Sequence, residues 1–423
     1  MNVDVSTAAL ESNVRGYSRS WPIEFERGVG STLVASDGTE YLDFFAGAGA
    51  LNYGHNDPRL KQVLVDHLAN DRLVHTLDTF TTARTDFIHT FKRLVLEPRG
   101  LDYTLMFPGP AGTTATEAAL KLARKVTGRT NIVCFTDAFH GMTLGALAVT
   151  GNAKKRGGAG IPLAGGTVMP FDGYLGPGVD TLDYFESSLR DSSSGLDLPA
   201  GVIVETVQAE GGVNVASVAW LQRLRALCTE FELPLIVDDV QMGCGRTGGF
   251  FSFEEAGIVP DIVVLSKSIS GFGIPMSLTM FHPHYDVWQP GEHNGTFRGI
   301  GLGFATAAEA LRLFWTDDAL EREVRRKGEH ADERLRAIAA SHPAAGLETR
   351  GRGLARGLVF PDPAVVEHIT AACFGDGLVI ETAGADDEVV KLLPALTIAD
   401  EELDRGIDII ERATAKVLGD ASA

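Results

Sequence analysis

The chain has 423 residues, 44% of them hydrophobic and 22% charged, which is the balance of an ordinary folded protein and excludes a disordered or collagen-like chain. Its 37 Lys and Arg against 56 Asp and Glu leave a formal charge of −19, a surface that repels phosphate backbones, so no nucleic-acid partner is expected. Cys134, Cys228, Cys244 and Cys373 are scattered without a CxxC pair, so reduced thiols are expected and neither a disulfide frame nor a metal site. Residues 1–5 lack the basic start and apolar run of a leader peptide, and no stretch approaches the roughly 18 apolar residues of a membrane helix. The expected setting is cytoplasmic, without membrane contact.

In chain order, residues up to about 52 carry hairpin punctuation at Gly28-Val29-Gly30 and Ser36-Asp37-Gly38-Thr39. The middle of the chain alternates short β-branched runs with helical patterns, the mark of a parallel sheet flanked by helices. Strands are expected at 103–107, 131–135, 202–205, 235–240, 262–266 and 277–281, and helices at 117–126 and 218–231. Residues 154–166, rich in Gly and basic side chains, read as a loop. Beyond about 305 a helical stretch leads into an α+β region with strands at 353–360 and 389–393. The expected fold class is α/β: a large domain with a mainly parallel sheet at 53–305, and a small α+β domain built from 1–52 and 306–423.

In an open parallel sheet, ligands gather at the carboxyl ends of the strands. Three of those ends carry ionisable groups here: Glu205, the pair Asp238-Asp239, and Lys267. A lysine desolvated at a strand end has a depressed pKa and becomes a nucleophile toward aldehydes. The run Gly109-Pro110-Ala111-Gly112-Thr113-Thr114 opens a helix, with Thr114 and Glu117 at capping-box spacing that predicts a start at Thr114. Free N–H groups at such a start hold a phosphate. Phe139 and His140, just past another strand, offer a stacking face and an adjoining imidazole. Each feature alone has a plainer reading: a salt-bridged lysine, a capped turn, core packing. Together they suit one ligand, pyridoxal phosphate, which needs an amine for its aldehyde, a phosphate cup, a stacking face and a carboxylate at its ring nitrogen.

The stretch Leu235-Ile236-Val237-Asp238-Asp239-Val240-Gln241-Met242-Gly243-Cys244-Gly245-Arg246-Thr247-Gly248, with Pro260-Asp261-Ile262 and Lys267, resembles the signature of class III pyridoxal-phosphate aminotransferases, which have the fold-type I architecture. Residues 17–20, 47–56, 294–299, 350–354 and 380–382 bring the likeness nearest to the diaminobutyrate–2-oxoglutarate branch that serves ectoine synthesis. The resemblance implies that Lys267 binds the cofactor aldehyde and carries the proton, and that Asp238 pairs with the ring nitrogen. It implies Val240 and Phe139 on the two ring faces with His140 adjoining, and Gln241 near the phenolic oxygen. Gly112 and Thr113 are implied to cup the phosphate with Thr296 of the partner subunit, which requires a homodimer or larger homo-oligomer with shared sites.

On the substrate side the resemblance implies Glu210, Lys391, Glu205 and Tyr53. Glu210, in Gln208-Ala209-Glu210-Gly211-Gly212, is expected to form a movable, neutral pair with Lys391, which stands where many members have an arginine. Removing Glu210 is then expected to leave Lys391 uncompensated. Met142 occupies the position of a carboxylate-binding arginine in some 4-aminobutyrate enzymes. Ala111, Thr114, Thr116, Ala209 and Asp57 depart from the branch pattern, Ala209 replacing a glycine. The implied reaction moves an amino group between L-glutamate and L-aspartate 4-semialdehyde, giving L-2,4-diaminobutyrate and 2-oxoglutarate. A paralogue acting on another small amino acid or semialdehyde, an aminomutase, and a non-catalytic scaffold are the alternatives.

Overall fold

Seven strands form the central sheet of the computed structural model, which describes residues 5–420. They are Thr104–Met106 (β1), Ile132–Phe135 (β2), Gly166–Met169 (β3), Gly201–Val204 (β4), Leu235–Asp238 (β5), Ile262–Leu265 (β6) and Leu278–Phe281 (β7). Their spatial order is β1-β7-β6-β5-β4-β2-β3, and every pair is parallel except the two made by β7. The central strands are almost wholly apolar because both sheet faces are covered. Phe135, Val204, Val237 and Leu265 pack on one face with Trp220 and Phe250. Their chain neighbours Cys134, Ile203, Ile236 and Val264 pack on the other with Ala119 and Leu122. Those two belong to the helix Gly112–Thr127 (α1), whose buried stripe of alanines lets it lie close to the sheet and which ends at Gly128 with φ +69°.

Three expectations are corrected. Helix α1 begins at Gly112, not Thr114: Thr114 is its third residue, and its Oγ1 reaches back to accept from the Ala111 N–H at 3.3 Å. The expected loop at 154–166 holds a short helix, Ala153–Gly157, capped by Asn152, and the start of β3. Strand β3 escaped notice because it is an edge strand with only Met169 fully buried, so it lacks the apolar run of the others. The expected strand at 353–360 is one arm of a hairpin, Glu348–Arg352 (β8) and Ala355–Val359 (β9), turning through Gly353 at φ +58°.

Strands β8 and β9 continue into a four-stranded sheet with Glu381–Ala383 (β10) and Val389–Leu392 (β11), in the order β8-β9-β11-β10. Near the start of the chain, Phe25–Val29, Thr32–Ala35 and Glu40–Asp43 form an antiparallel meander that Leu378–Val379 joins in parallel. A second apolar cluster unites both ends of the chain: Leu42 and Phe44 pack with Val324, Leu335, Ile369 and Ile407. The expected small domain and the leader reading extend onto residues 1–4 and 421–423, which lie outside the described residues. Among the described residues no helix is long and apolar enough to cross a membrane.

Candidate active site

Sheet register lines up the strand ends. Val237 of β5 pairs with Val204 of β4 and Val263 of β6. Glu205, Asp238 and Lys267 therefore stand along one carboxyl edge, where an open α/β sheet binds ligands. They line a cavity of about 270 Å³ together with Gly112, Thr113 and Phe139.

Lys267 enters the cavity from a strained position. Its φ is +52°, left-handed for a residue with a Cβ. Opposite it the chain makes a turn in which Ala46, Gly47, Ala48 and Gly49 have φ of +46°, +61°, +56° and +78°. Each non-glycine there costs about 1–2 kcal/mol. The turn is held by Asp43, whose Oδ1 accepts from the Phe45 and Ala46 N–H groups at 2.8 and 2.9 Å. Its effect is to aim the Ala48 carbonyl inward, where it accepts from Lys267 Nζ and from Gln241 Nε2, each at 2.9 Å. Strain of this kind persists where surrounding structure over-determines it. Burial pushes the Lys267 ammonium below the ordinary lysine value, against the opposing charge of Glu210.

Asp238 is anchored on both oxygens. His140 Nδ1 donates to Oδ2 at 2.7 Å, and the Val240 N–H donates to Oδ1 at 3.1 Å. His140 is buried and its Nε2 has no hydrogen-bond partner among the described residues. Glu205 Oε2 accepts from the Phe139 N–H at 3.0 Å. Burial and then the Asp238 charge push the Glu205 carboxyl well above its ordinary value.

At the other end, α1 points its N-terminus at the cavity. The first N–H groups of a helix have no partner within it, and none of the described residues accepts from those of Gly112 and Thr113. A Cβ at Gly112 would fall 2.8 Å from Val240 Cγ1, and one at Gly141, where φ is +129°, 2.4 Å from Thr113 Oγ1. The backbone is thus left bare where an anion must come close. An anion cup, an aromatic and an aliphatic wall, a fixed carboxylate and a desolvated lysine make a donor set that fits pyridoxal phosphate.

Residues 15–414 match the family described as aminotransferase class-III. The chain is a class-III aminotransferase. The aminotransferase is 58% identical over 405 residues to a diaminobutyrate–2-oxoglutarate transaminase of Nocardia farcinica, covering 96% of this chain and 92% of that relative. It is 54% identical to the transaminase of the same name from Halomonas elongata, over 96% and 97% of the two chains. Among solved structures, an ornithine aminotransferase from Toxoplasma gondii with partly occupied PLP at its active site superposes with a TM-score of 0.85 at 27% identity, over 99% and 95% of the chains. A transaminase from the marine bacterium Virgibacillus shares the fold, with a TM-score of 0.86 at 18% identity over 99% of each chain. The α/β architecture of the aminotransferase is therefore that of fold-type I.

The aminotransferase brings most of the candidate residues together. Gly112, Thr113, Phe139, His140, Glu205, Glu210, Asp238, Val240, Gln241 and Lys267 all line the one cavity. Tyr53, expected as a substrate contact, does not line it. It is buried on Phe314, with ring centroids 4.5 Å apart, and its hydroxyl accepts from Trp315 Nε1 at 2.8 Å. Thr296 is exposed and outside this cavity, its carbonyl accepting from His75 Nε2 at 2.8 Å. The expected Glu210–Lys391 pair is a three-group cluster. Lys391 Nζ lies 2.7 Å from Glu210 Oε1 and 3.0 Å from Glu381 Oε1. Two carboxylates share one ammonium, so the two-charge neutrality read from the sequence does not describe it.

Burial would raise the Glu210 carboxyl, but the Lys391 and Lys267 charges outweigh it and hold it below the ordinary range. Burial wins at Glu381, which is raised despite Lys391. Glu381 went unassigned in the sequence because its closeness to Lys391 is a matter of register: the two residues face each other across β10 and β11. The only sign was an acid between Ile380 and Thr382 in an otherwise apolar context. Two departures from the branch pattern find physical accounts. Ala209 is not in the positive-φ region, so it carries no strain, and Asp57 caps the helix Pro58–Ala69 by accepting from the Arg59 and Leu60 N–H groups.

Proposed function

We propose that the aminotransferase uses pyridoxal phosphate to move the amino group of L-glutamate to L-aspartate 4-semialdehyde, releasing 2-oxoglutarate and L-2,4-diaminobutyrate. The chemistry rests on one observation, the convergence of Lys267, Asp238 and the unpartnered Gly112 and Thr113 amides on a single cavity. The choice of substrates is supported by the near full-length identity to transaminases named for diaminobutyrate and 2-oxoglutarate.

When bound, the cofactor supplies an aldehyde that captures an amine and a cationic ring that draws electrons from the captured carbon. The amides of Gly112 and Thr113 hold the phosphate at the positive end of α1. Asp238, oriented by His140 and the Val240 N–H, holds a proton on the ring nitrogen. Phe139 and Val240 flank the ring. Lys267, low in pKa through burial, would take the proton from the substrate carbon bearing nitrogen and return it across that nitrogen to the cofactor's former aldehyde carbon. Glu210 closes on Lys391 when no second carboxylate is present and moves aside when glutamate brings one. Thr296 of the partner subunit is assigned to the phosphate end, which makes the working unit at least a homodimer.

The deciding experiment is a panel of amino acids and diamines, with 2-oxoglutarate as acceptor and glutamate formation as readout. L-2,4-Diaminobutyrate should give the highest kcat/KM. A higher value for ornithine or 4-aminobutyrate would overturn the substrate assignment, and turnover without any keto acid would overturn transamination in favour of an internal amino shift.

A further inference from the structure

A second cavity, of about 580 Å³, adjoins the first and shares Phe139 and Glu210 with it as lining. Its lining also includes Lys155, Asp137 and Asp386. Lys155 sits on the short helix Ala153–Gly157, where its N–H donates to Asn152 Oδ1 at 3.0 Å. Its ammonium lies 4.2 Å from the centroid of the Phe139 ring. No carboxylate of the described residues forms an ion pair with it, whereas Lys391 in the inner cluster has two. An ammonium held over an aromatic face keeps donors free while losing the mobility of an ordinary surface lysine.

An enzyme that transfers a terminal amine must place that amine at Lys267, so the other end of the substrate points away from it. In the proposed reaction that end is an amino acid head, one carboxylate beside one ammonium. A carboxylate entering a partly desolvated site requires a cation. Met142, which lines the inner cavity, offers none. Lys267 is committed to the chemistry and Lys391 to its two acids, and of the two lysines that line the outer cavity Lys154 is exposed whereas Lys155 is half-buried against Phe139. We propose that the outer cavity is the subsite for the far end of the amine substrate, with Lys155 receiving its carboxylate across the edge of Phe139. Asp137 and Asp386 give the same cavity a negative side suited to the neighbouring ammonium. Phe139 then has two tasks, one face toward the cofactor and the other orienting the cation that reads the substrate. This inference rests on the ω-transfer reading above, because only a terminal transfer sends the carboxylate outward.

The test compares the wild-type holoenzyme with Lys155→Gln and Lys155→Arg, using L-2,4-diaminobutyrate and 1,3-diaminopropane, which has the same two amines and no carboxylate. Single-turnover amine transfer is followed by the cofactor absorbance. Lys155→Gln should lower kcat/KM for diaminobutyrate by about tenfold or more, through KM, and change that for 1,3-diaminopropane by less than about twofold. Lys155→Arg should restore most of the difference. Equal losses on both amines would mean that Lys155 only props Phe139, and no loss on either would mean that the carboxylate binds elsewhere; each overturns the proposal. If the wild type prefers another ω-amino acid, the substrate assignment fails by itself. The same comparison then runs on that amino acid and its decarboxylated amine, such as ornithine and putrescine, with the same criterion for Lys155.

Discussion

Asp238 and Lys267 reach the cavity with their orientation already decided, one by hydrogen bonds on both oxygens and the other by the Ala48 carbonyl. Asp238→Asn keeps the acceptor for the Val240 N–H but loses the charge that holds a proton on the ring nitrogen. The variant should fold normally and slow single turnover by more than about tenfold, equivalent to about 1.4 kcal/mol in the barrier; a smaller effect would contradict the role. The Lys391 cluster calls for a different experiment. Glu210→Ala leaves Lys391 facing Glu381, so it does not strand the cation as the two-residue reading expected. Removing both acids does. Denaturant unfolding of Glu210→Ala, Glu381→Ala and the double variant should show a loss beyond additivity, on the order of 0.5–3 kcal/mol. Strict additivity would show that Glu381 is not a partner of Lys391 in solution.

At the scale of elements, the N-terminus of α1 works because Gly112 leaves room beside Val240. Gly112→Ala should improve the helix intrinsically, yet its new Cβ meets Val240 Cγ1 at 2.8 Å just where the amides must stay accessible. We expect a folded variant with weakened retention of cofactor on dialysis, and recovery when Val240→Ala is added. Unchanged retention would mean that the phosphate does not sit on those amides. Elements of this kind were legible in the sequence wherever a local pattern carried them: the apolar strands ending in Glu205, Asp238 and Lys267, and the glycine-rich start of α1. Edge strand β3, the hairpin of β8 and β9, and the partnership of Glu381 with Lys391 were not. Each depends on which strand lies beside which, and a half-buried edge strand has no run of apolar residues to announce it. Tyr53 shows the converse, a residue inside a recognisable motif whose side chain packs in the core away from this cavity.

Across the whole molecule, the site is built at a cost in stability that depends on pH. Asp239, next to Asp238, is buried, and burial raises its carboxyl from the ordinary 3.8 to about 7, against a hydrogen bond from the Ser252 N–H at 2.9 Å and the charge of Arg352. An acid whose folded value lies above its unfolded one binds its proton more tightly when folded. Its favourable contribution is therefore present below about pH 4 and lost as pH rises toward 7. Asp239→Asn keeps an acceptor for Ser252 without the charge. The difference in unfolding free energy between variant and wild type should grow in the variant's favour from about pH 4 to pH 7, read from melts across that range. A constant difference would show that Asp239 is ionised throughout.

The central claim is that Lys267 is the residue to which pyridoxal phosphate is joined, at the strand edge it shares with Asp238. Borohydride reduction of the holoenzyme, followed by proteolysis and mass mapping of the peptides, tests it most directly. The result expected is a single reduced phosphopyridoxyl adduct on the peptide containing Lys267, absent in Lys267→Ala. An adduct on Lys155, Lys391 or any other lysine, or its persistence in Lys267→Ala, would contradict the account.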